Sequence, residues 1–200
     1  MRCLMCGSLM DQGTFRDIFD GSDPLCQTCR QEWQRRKIRF CLDGVKAESS
    51  YVYNSAFSRC LIQYKELGDE ALKDVFLHEV RSYLKWRYHG YTLCLLPSSA
   101  EKQEQRGFSH LAEMFACLKM PVIEPFVKIS SRNQKKLGRE ERLQMKELIR
   151  LKEGIVLPQK VLLCDDTVTT GATLLGALSI LPQNVRKVRI YTVSANIRWL

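Results

Sequence analysis

The chain has no apolar run approaching the roughly 18 residues that a membrane-spanning helix requires. Its first residues turn to cysteine and polar side chains too early for a secretory leader. Together these absences argue against an integral membrane protein and an exported disulfide scaffold, and they predict a soluble chain of the cytoplasm. Internal repeats and low-complexity tracts are also missing, which leaves out solenoids and disordered linkers. Nine cysteines are present, but in a reducing compartment they are expected as metal ligands and small core residues rather than as disulfides. A length of 200 residues accommodates one packed domain and a small accessory module. Positive charge is in excess, a formal +9, which indicates a polyanionic partner more than a fold. Nucleic acid is the first candidate, and a solvated basic surface is the plain alternative.

Four of the cysteines fall into two CxxC pairs, Cys3 with Cys6 and Cys26 with Cys29. Each pair forms a knuckle whose two thiolates can reach one ion, and the spacing between the pairs is that of a four-cysteine zinc site. Four thiolates close a tetrahedral shell and leave no position for water, so the zinc is expected to be structural. No other cluster looks like a catalytic metal centre; His78 and His89 are isolated and read as packed or solvated.

The most informative stretch is VLLCDDTVTTGAT, from Val161 to Thr173. Val161 to Cys164 is a short unbroken apolar run that predicts a strand buried on both faces, ended by Asp165 and Asp166. Leu174, Leu175, Ala177, Leu178 and Ile180 then have the spacing of a buried helix. Hydroxyls, backbone N–H groups and a glycine that permits close approach, set at the positive end of a helix, make an anion site of phosphate size. Adjacent carboxylates would oppose a phosphate unless they face sugar hydroxyls or a Mg²⁺ carried by the ligand. Phosphate, diol and metal together suggest a phosphorylated ribose.

Elsewhere the pattern predicts a basic helix over 30–40 with Trp33, Arg35, Arg36, Lys37 and Arg39, able to follow and stack single-stranded nucleic acid. A strand over Ser49–Asn54, a helix through Phe57, Leu61, Ile62 and Tyr64 to Lys65, and a second helix from about Asp69 to Trp86 follow. Tyr91–Leu96 reads as a strand ended by Pro97, Ser98 and Ser99, then a polar stretch, Gly107-Phe108 and a helix through Leu111, Met114, Phe115 and Leu118. Val122–Val127 reads as a further strand, and the loop after it carries Lys128, Arg132, Lys135, Lys136, Arg139 and Arg142 against Glu140 and Glu141. Such a loop can close over a developing charge or grip nucleic acid phosphates. Val185–Val193 reads as the last strand. Strand and helix in alternation fit a parallel sheet flanked by helices, with the ligand at the carboxyl ends of the strands.

An apolar strand, an acid pair and TTGAT resemble the signature of type I phosphoribosyltransferases, which bind 5-phosphoribosyl-1-pyrophosphate (PRPP). That resemblance implies that Asp165 and Asp166 hold the ribose hydroxyls. It also implies that Thr167 contacts PRPP and that Thr169, Thr170, Gly171, Ala172 and Thr173 cradle its 5′-phosphate, with Mg²⁺ on the pyrophosphate side and Pro97, Ser98 and Ser99 as the pyrophosphate loop. The two CxxC pairs, RCLIQYKELGD (Arg59 to Asp69), RGF (Arg106 to Phe108), LGREER (Leu137 to Arg142) and DDTVTTGAT resemble the ComF family in this order. The chain departs from that family's RRRGFNQ at Gln103, Gln105, Ser109 and His110, and has Met145 where many members have asparagine.

The family implies a role in natural transformation, with single-stranded DNA and the DNA-dependent ATPase ComFA as partners. It also implies a cytoplasmic site with recruitment to the inner face of the membrane by the DNA-uptake machinery. In DNA binding, Arg35, Arg36, Lys37, Arg39, Arg132, Lys135, Lys136 and Arg139 are the candidates. The expected division is residues 1–40 as zinc module and basic linker helix, and 41–200 as a phosphoribosyltransferase-like domain. Two functions fit: a competence adaptor that binds PRPP with little or no turnover, and a phosphoribosyltransferase of nucleotide salvage. A salvage enzyme usually carries its specificity segment after the last core strand, and the seven residues here after Val193 favour the first, with a base site built from other segments as the alternative.

Overall fold

Strand β7, Lys160–Val168, sits inside a six-stranded sheet because its apolar residues Val161 to Cys164 are covered on both faces. The computed structural model describes residues 1–10, 21–98, 108–128 and 149–199. In chain order the sheet contains β1 (Arg35–Leu42), β2 (Val45–Val52), β3 (Thr92–Leu95), β4 (Val122–Ile123), β7 and β8 (Lys187–Ala195). Its spatial order is β1-β2-β8-β7-β3-β4, parallel throughout except for the antiparallel hairpin β1–β2. A separate two-stranded ribbon pairs β5 (Phe126–Lys128) with β6 (Ile149–Leu151).

The described helices are α1 (Gln27–Glu32), α2 (Ser55–Glu66), α3 (Arg81–Arg87), α4 (His110–Ala116) and α5 (Ala172–Ser179). One core lies under α2, α3 and α4 and contains Phe57, Tyr64, Phe76, Leu84, Met114, Leu162, Cys164 and Tyr191. The other lies under α5 and the ribbon and contains Ile38, Leu42, Phe126, Leu163, Leu174, Ala177 and Ile190. This is the arrangement of helices packed on a mostly parallel sheet expected from the alternation of strands and helices. Ser49 bonds to Thr192, Ser50 to Tyr191 and Thr167 to Ser194, so the polar side chains inside the sheet are matched across strands.

Helix α2 begins at Asn54, whose side chain accepts from the Phe57 amide at 2.9 Å, and it buries Phe57, Cys60, Leu61 and Tyr64 along one stripe. Gly68, at φ +70°, lets the chain turn away from its end. The single helix expected over 69–86 is instead a 3₁₀ turn at Glu70–Val75, a bonded bend, and then α3. Val75, Phe76 and Leu77 are consecutive and all fully buried, which a helix with one apolar face cannot achieve.

The basic helix expected over 30–40 is also corrected. Helix α1 ends at Glu32, and residues 35–40 are the first part of strand β1, paired with β2, rather than a linker. Ile38, Phe40 and Leu42 alternate toward one face of the sheet, and this period of two outweighs the helix preference of Arg, Lys and Gln. Val122–Val127 divides into β4 and β5, which belong to different sheets, at Pro125, a residue with no N–H for a ladder.

The N-terminal segment is docked on the first core. Arg30 is buried, bonded to Asp23 at 2.6 and 2.8 Å and to the Val75 carbonyl at 3.1 Å. Trp33, 2% exposed, packs against Tyr51, Phe57 and Phe76 with ring centroids 4.8–5.6 Å apart. It is a core residue, not a platform for bases. Trp33→Ala is therefore expected to cost about 3–5 kcal/mol in urea unfolding, and Trp33→Phe clearly less. A Trp33→Ala variant as stable as the wild type would contradict this placement.

Candidate functional site

The crossover β7–α5–β8 leaves β7 on one side, whereas β3–α4–β4 departs on the other, so the strand order reverses between β3 and β7. Parallel sheets open a crevice at the carboxyl ends of the strands at such a point. Pairing of β3 with β7 stops at Leu95 opposite Cys164, with one further bond from the Leu96 amide to the Cys164 carbonyl at 3.0 Å. Strand β7 continues past it on β8 to Val168 opposite Ala195. The acid pair is therefore part of the strand, not its terminator, because β8 supplies the hydrogen bonds that β3 no longer does.

Thr169 and Thr170 form the exposed bend beyond β7, and Gly171 is the residue before α5, at φ +79°. A Cβ at Gly171 would lie 3.2 Å from a Leu42 methyl and 3.5 Å from the Trp199 ring, so the position needs glycine both for its backbone and for the approach of β1. The Thr170 hydroxyl accepts from the Ala172 amide at 3.3 Å, and the Trp199 indole N–H donates to the Thr169 carbonyl at 2.9 Å. Ala172 and Thr173 open α5, where first-turn amides face out of the helix. Phe40 packs on Trp199 at 4.8 Å, and Trp199 bonds the Thr169 carbonyl, so the strand bearing the basic cluster abuts the bend before α5.

Asp166 lies on the face of α2 and α4. Its Oδ2 accepts from Lys65 Nζ at 2.5 Å and lies 2.9 Å from His110 Nε2, and Ser98 Oγ is 3.3 Å from the other ring nitrogen of His110. Burial opposes charge on Asp166, but Lys65, followed by His110, outweighs it and holds the carboxyl well below the usual range. Burial and then the charge of Asp166 push the half-buried Asp165 up to about 7.

A cavity of about 260 Å³ is bounded by Tyr53, Leu61, Ile62, Lys65, Glu66, Asp166, Thr167 and Thr169. On the far side of His110 a smaller one, about 110 Å³, is lined by Pro97, Ser98, Ser109, Glu124, Lys128 and Lys152 among others. Pro97 and Ser98 line this smaller cavity, and Ser98 reaches Asp166 only by way of the His110 ring, whereas Ser99 lies outside the described residues. Lys65 and His110 were not singled out from the sequence as site residues. Lys65 stands in the stretch Arg59 to Asp69 that carries the ComF resemblance, and His110 at a departure from it, and only the fold brings them to Asp166.

The four cysteines come together as expected, their sulfur atoms all within 4.8 Å of one another and none in a disulfide. A tetrahedral ion with metal–sulfur bonds of about 2.3 Å needs sulfurs about 3.8 Å apart; Cys6 and Cys26 are 3.7 Å apart. The set can hold one metal ion, and Gly7 at φ +73° makes the first knuckle.

Of the DNA candidates, Arg35, Arg36, Lys37 and Arg39 lie exposed on the outer strand β1. Arg35 pairs with Glu79 at 3.4 Å, while Lys37 and Arg39 approach buried Glu48 at 3.9 and 4.0 Å. Charge on an outer strand also discourages edge-to-edge pairing. Arg132, Lys135, Lys136 and Arg139 lie outside the described residues.

The raised Asp165 generates a prediction. Between about pH 4 and pH 7 the folded chain keeps a proton that the unfolded chain has released, so this group lowers stability as the pH rises through that window. Asp165→Asn is expected to flatten that slope and raise the thermal midpoint at pH 8 by at least about 3 °C. A lower midpoint with the same slope would contradict the assignment.

Residues 104–198 match the phosphoribosyl transferase domain family. The chain is 27% identical over 199 residues to competence protein ComFC of Streptococcus pneumoniae, covering 87% of this chain and 90% of that protein. It is 30% identical over 152 residues to competence protein ComFC of Bacillus subtilis, covering 75% of this chain and 62% of that one. Among solved structures, adenine phosphoribosyltransferase of Leishmania tarentolae superposes with a TM-score of 0.42 at 14% identity, over 87% of this chain and 89% of that one. The Leishmania donovani enzyme gives 0.39 at 14%, over 87% and 80%. The chain is a ComFC-like, phosphoribosyltransferase-like protein.

Proposed function

We propose that the chain serves natural competence, supporting the handling of incoming single-stranded DNA, and that the crevice between β3 and β7 binds PRPP. The observation that carries the PRPP reading is the continuity of strand, acid pair and phosphate loop at the reversal of strand order. The names of its two curated relatives support the competence role.

In this reading the bend from Thr169 to Thr173 takes the 5′-phosphate through hydroxyls and first-turn amides. Asp165 and the second oxygen of Asp166 accept from the ribose hydroxyls, and Pro97 to Ser99 receive the pyrophosphate. A Mg²⁺ chelated by the ligand's pyrophosphate would neutralise that end on binding. Lys128 and Lys152, at the ribbon, stand on the same side as Ser98 and add positive charge there. The four cysteines hold a structural zinc that keeps the N-terminal segment folded against α2. Residues 1–40 supply this platform and most of the outer strand, and 41–200 the phosphoribosyltransferase-like domain.

DNA runs along the basic outer strand, by Arg35, Arg36, Lys37 and Arg39, with the loop bearing Arg132, Lys135, Lys136 and Arg139 as a second contact. A ComFA-type ATPase is the protein partner, and the chain works in the cytoplasm, recruited to the inner face of the membrane. Among the described residues no helix is long and apolar enough to cross a membrane. Contacts from Leu42 and Phe40 to Gly171 and Trp199 give the DNA strand a physical route to the phosphate loop.

Phosphorus NMR of Mg²⁺-PRPP with the purified protein, followed for hours with and without single-stranded DNA, tests this. The expected result is shifted PRPP resonances without growth of pyrophosphate, weakened at least tenfold, about 1.4 kcal/mol, by Asp166→Asn. Base-dependent growth of pyrophosphate would make the chain a salvage enzyme instead. No shift at millimolar ligand would refute PRPP binding.

A further inference from the structure

Asp166 is not an open carboxylate. Its side chain is 10% exposed, and the same oxygen meets Lys65, 19% exposed, and His110, 5% exposed. These partners come from different elements, the last turn of α2 and the first residue of α4. A second bond ties the same two elements: the hydroxyl of fully buried Tyr64, next to Lys65, donates to the His110 carbonyl at 2.7 Å. The ammonium is thus delivered by a helix end fixed at two adjacent residues. A lysine has three donors; Asp166 takes one, and Lys65 lines the larger cavity together with Thr167 and Thr169.

We infer that Lys65 is the resident cation of this site: clamped with His110 on one oxygen of Asp166, it lets the crevice take a phosphorylated sugar diol with no divalent ion at the acid pair. The inference rests on the PRPP-site reading and adds to it where the positive charge comes from. A divalent ion against Asp166 would have to displace an ammonium already at hydrogen-bond distance, or sit beside it and be repelled. A ligand oxygen meets the opposite situation, with an ammonium lining the cavity that has donors beyond the one Asp166 takes. Any Mg²⁺ therefore enters only with a ligand that carries its own chelating pyrophosphate. His110 is a positioning residue: it shares the clamp and joins it to Ser98, in the segment after β3, at 3.3 Å.

The discriminating probe is ribose 5-phosphate, which has the phosphate and the diol but no pyrophosphate. Calorimetric titration into the full chain is expected to give affinities in EDTA and in Mg²⁺ that agree within about twofold. Lys65→Met should lower the affinity in EDTA at least tenfold, and Lys65→Arg should restore most of it. Wild-type binding that requires Mg²⁺, or Lys65→Met binding like wild type, overturns the inference and leaves PRPP binding standing. Wild-type protein that takes neither ribose 5-phosphate nor Mg²⁺-PRPP overturns both.

Should Lys65→Met fail to fold, nitrogen-15 NMR of the lysine ammonium groups in the wild-type chain decides the matter. The Lys65 signal is expected to shift with ribose 5-phosphate in EDTA and to ignore Mg²⁺ alone. A signal that moves with Mg²⁺ alone, or is unmoved by ribose 5-phosphate, overturns the inference.

Discussion

The ion pair between Lys65 and Asp166, with His110 on the same oxygen, is the constraint from which the rest of the site takes its shape. A buried carboxylate is costly unless its charge is matched, and here it is matched from two helices at once. Strand β7 can therefore carry an acid into the seam between α2 and α4 without splitting them. Each of those helices is in turn fixed by its apolar stripe on the first core, through Phe57 and Tyr64 on one and Met114 and Phe115 on the other. The chemistry of the crevice and the packing of that core are one structure.

The second constraint acts from the opposite side. Gly171 accepts the close approach of Leu42 and Trp199, and Trp199 bonds the Thr169 carbonyl, so the bend from Thr169 to Gly171 is braced by the outer hairpin as well as by its own helix. The N-terminal segment reaches the site less directly, through Trp33 and Arg30 into the aromatic cluster that also contains Tyr64. Changes at the cysteine cluster can thus influence the crevice by way of α2. The basic strand, by contrast, spends part of its charge internally, on Glu48 and Glu79.

Local pattern identified the elements that bury themselves by themselves. Val161 to Cys164 reads as an interior strand because nothing but a covered sheet accepts such a run, and the glycine before α5 marks a turn that only glycine makes freely. The cysteine spacing was equally readable, since four thiolates converge only if the intervening chain folds back. What sequence could not reveal was long-range pairing. Lys65 and His110 lie 101 and 56 positions from Asp166 and meet it only once the sheet is assembled. The same holds for the basic strand, whose residues favour a helix locally and become a strand because β2 is there to pair with them. The bend after Val75 likewise exists because three consecutive apolar side chains each needed a place in the core.

The most direct measurement of the central constraint is a double-mutant cycle on Lys65→Met and Asp166→Asn, read by urea unfolding at pH 7. The structure predicts a coupling of at least about 2 kcal/mol, with each single variant less stable than the pair in which both charges are gone. A coupling below about 0.5 kcal/mol, the value typical of exposed ion pairs, would mean that Lys65 does not hold Asp166 and that the crevice is organised in some other way.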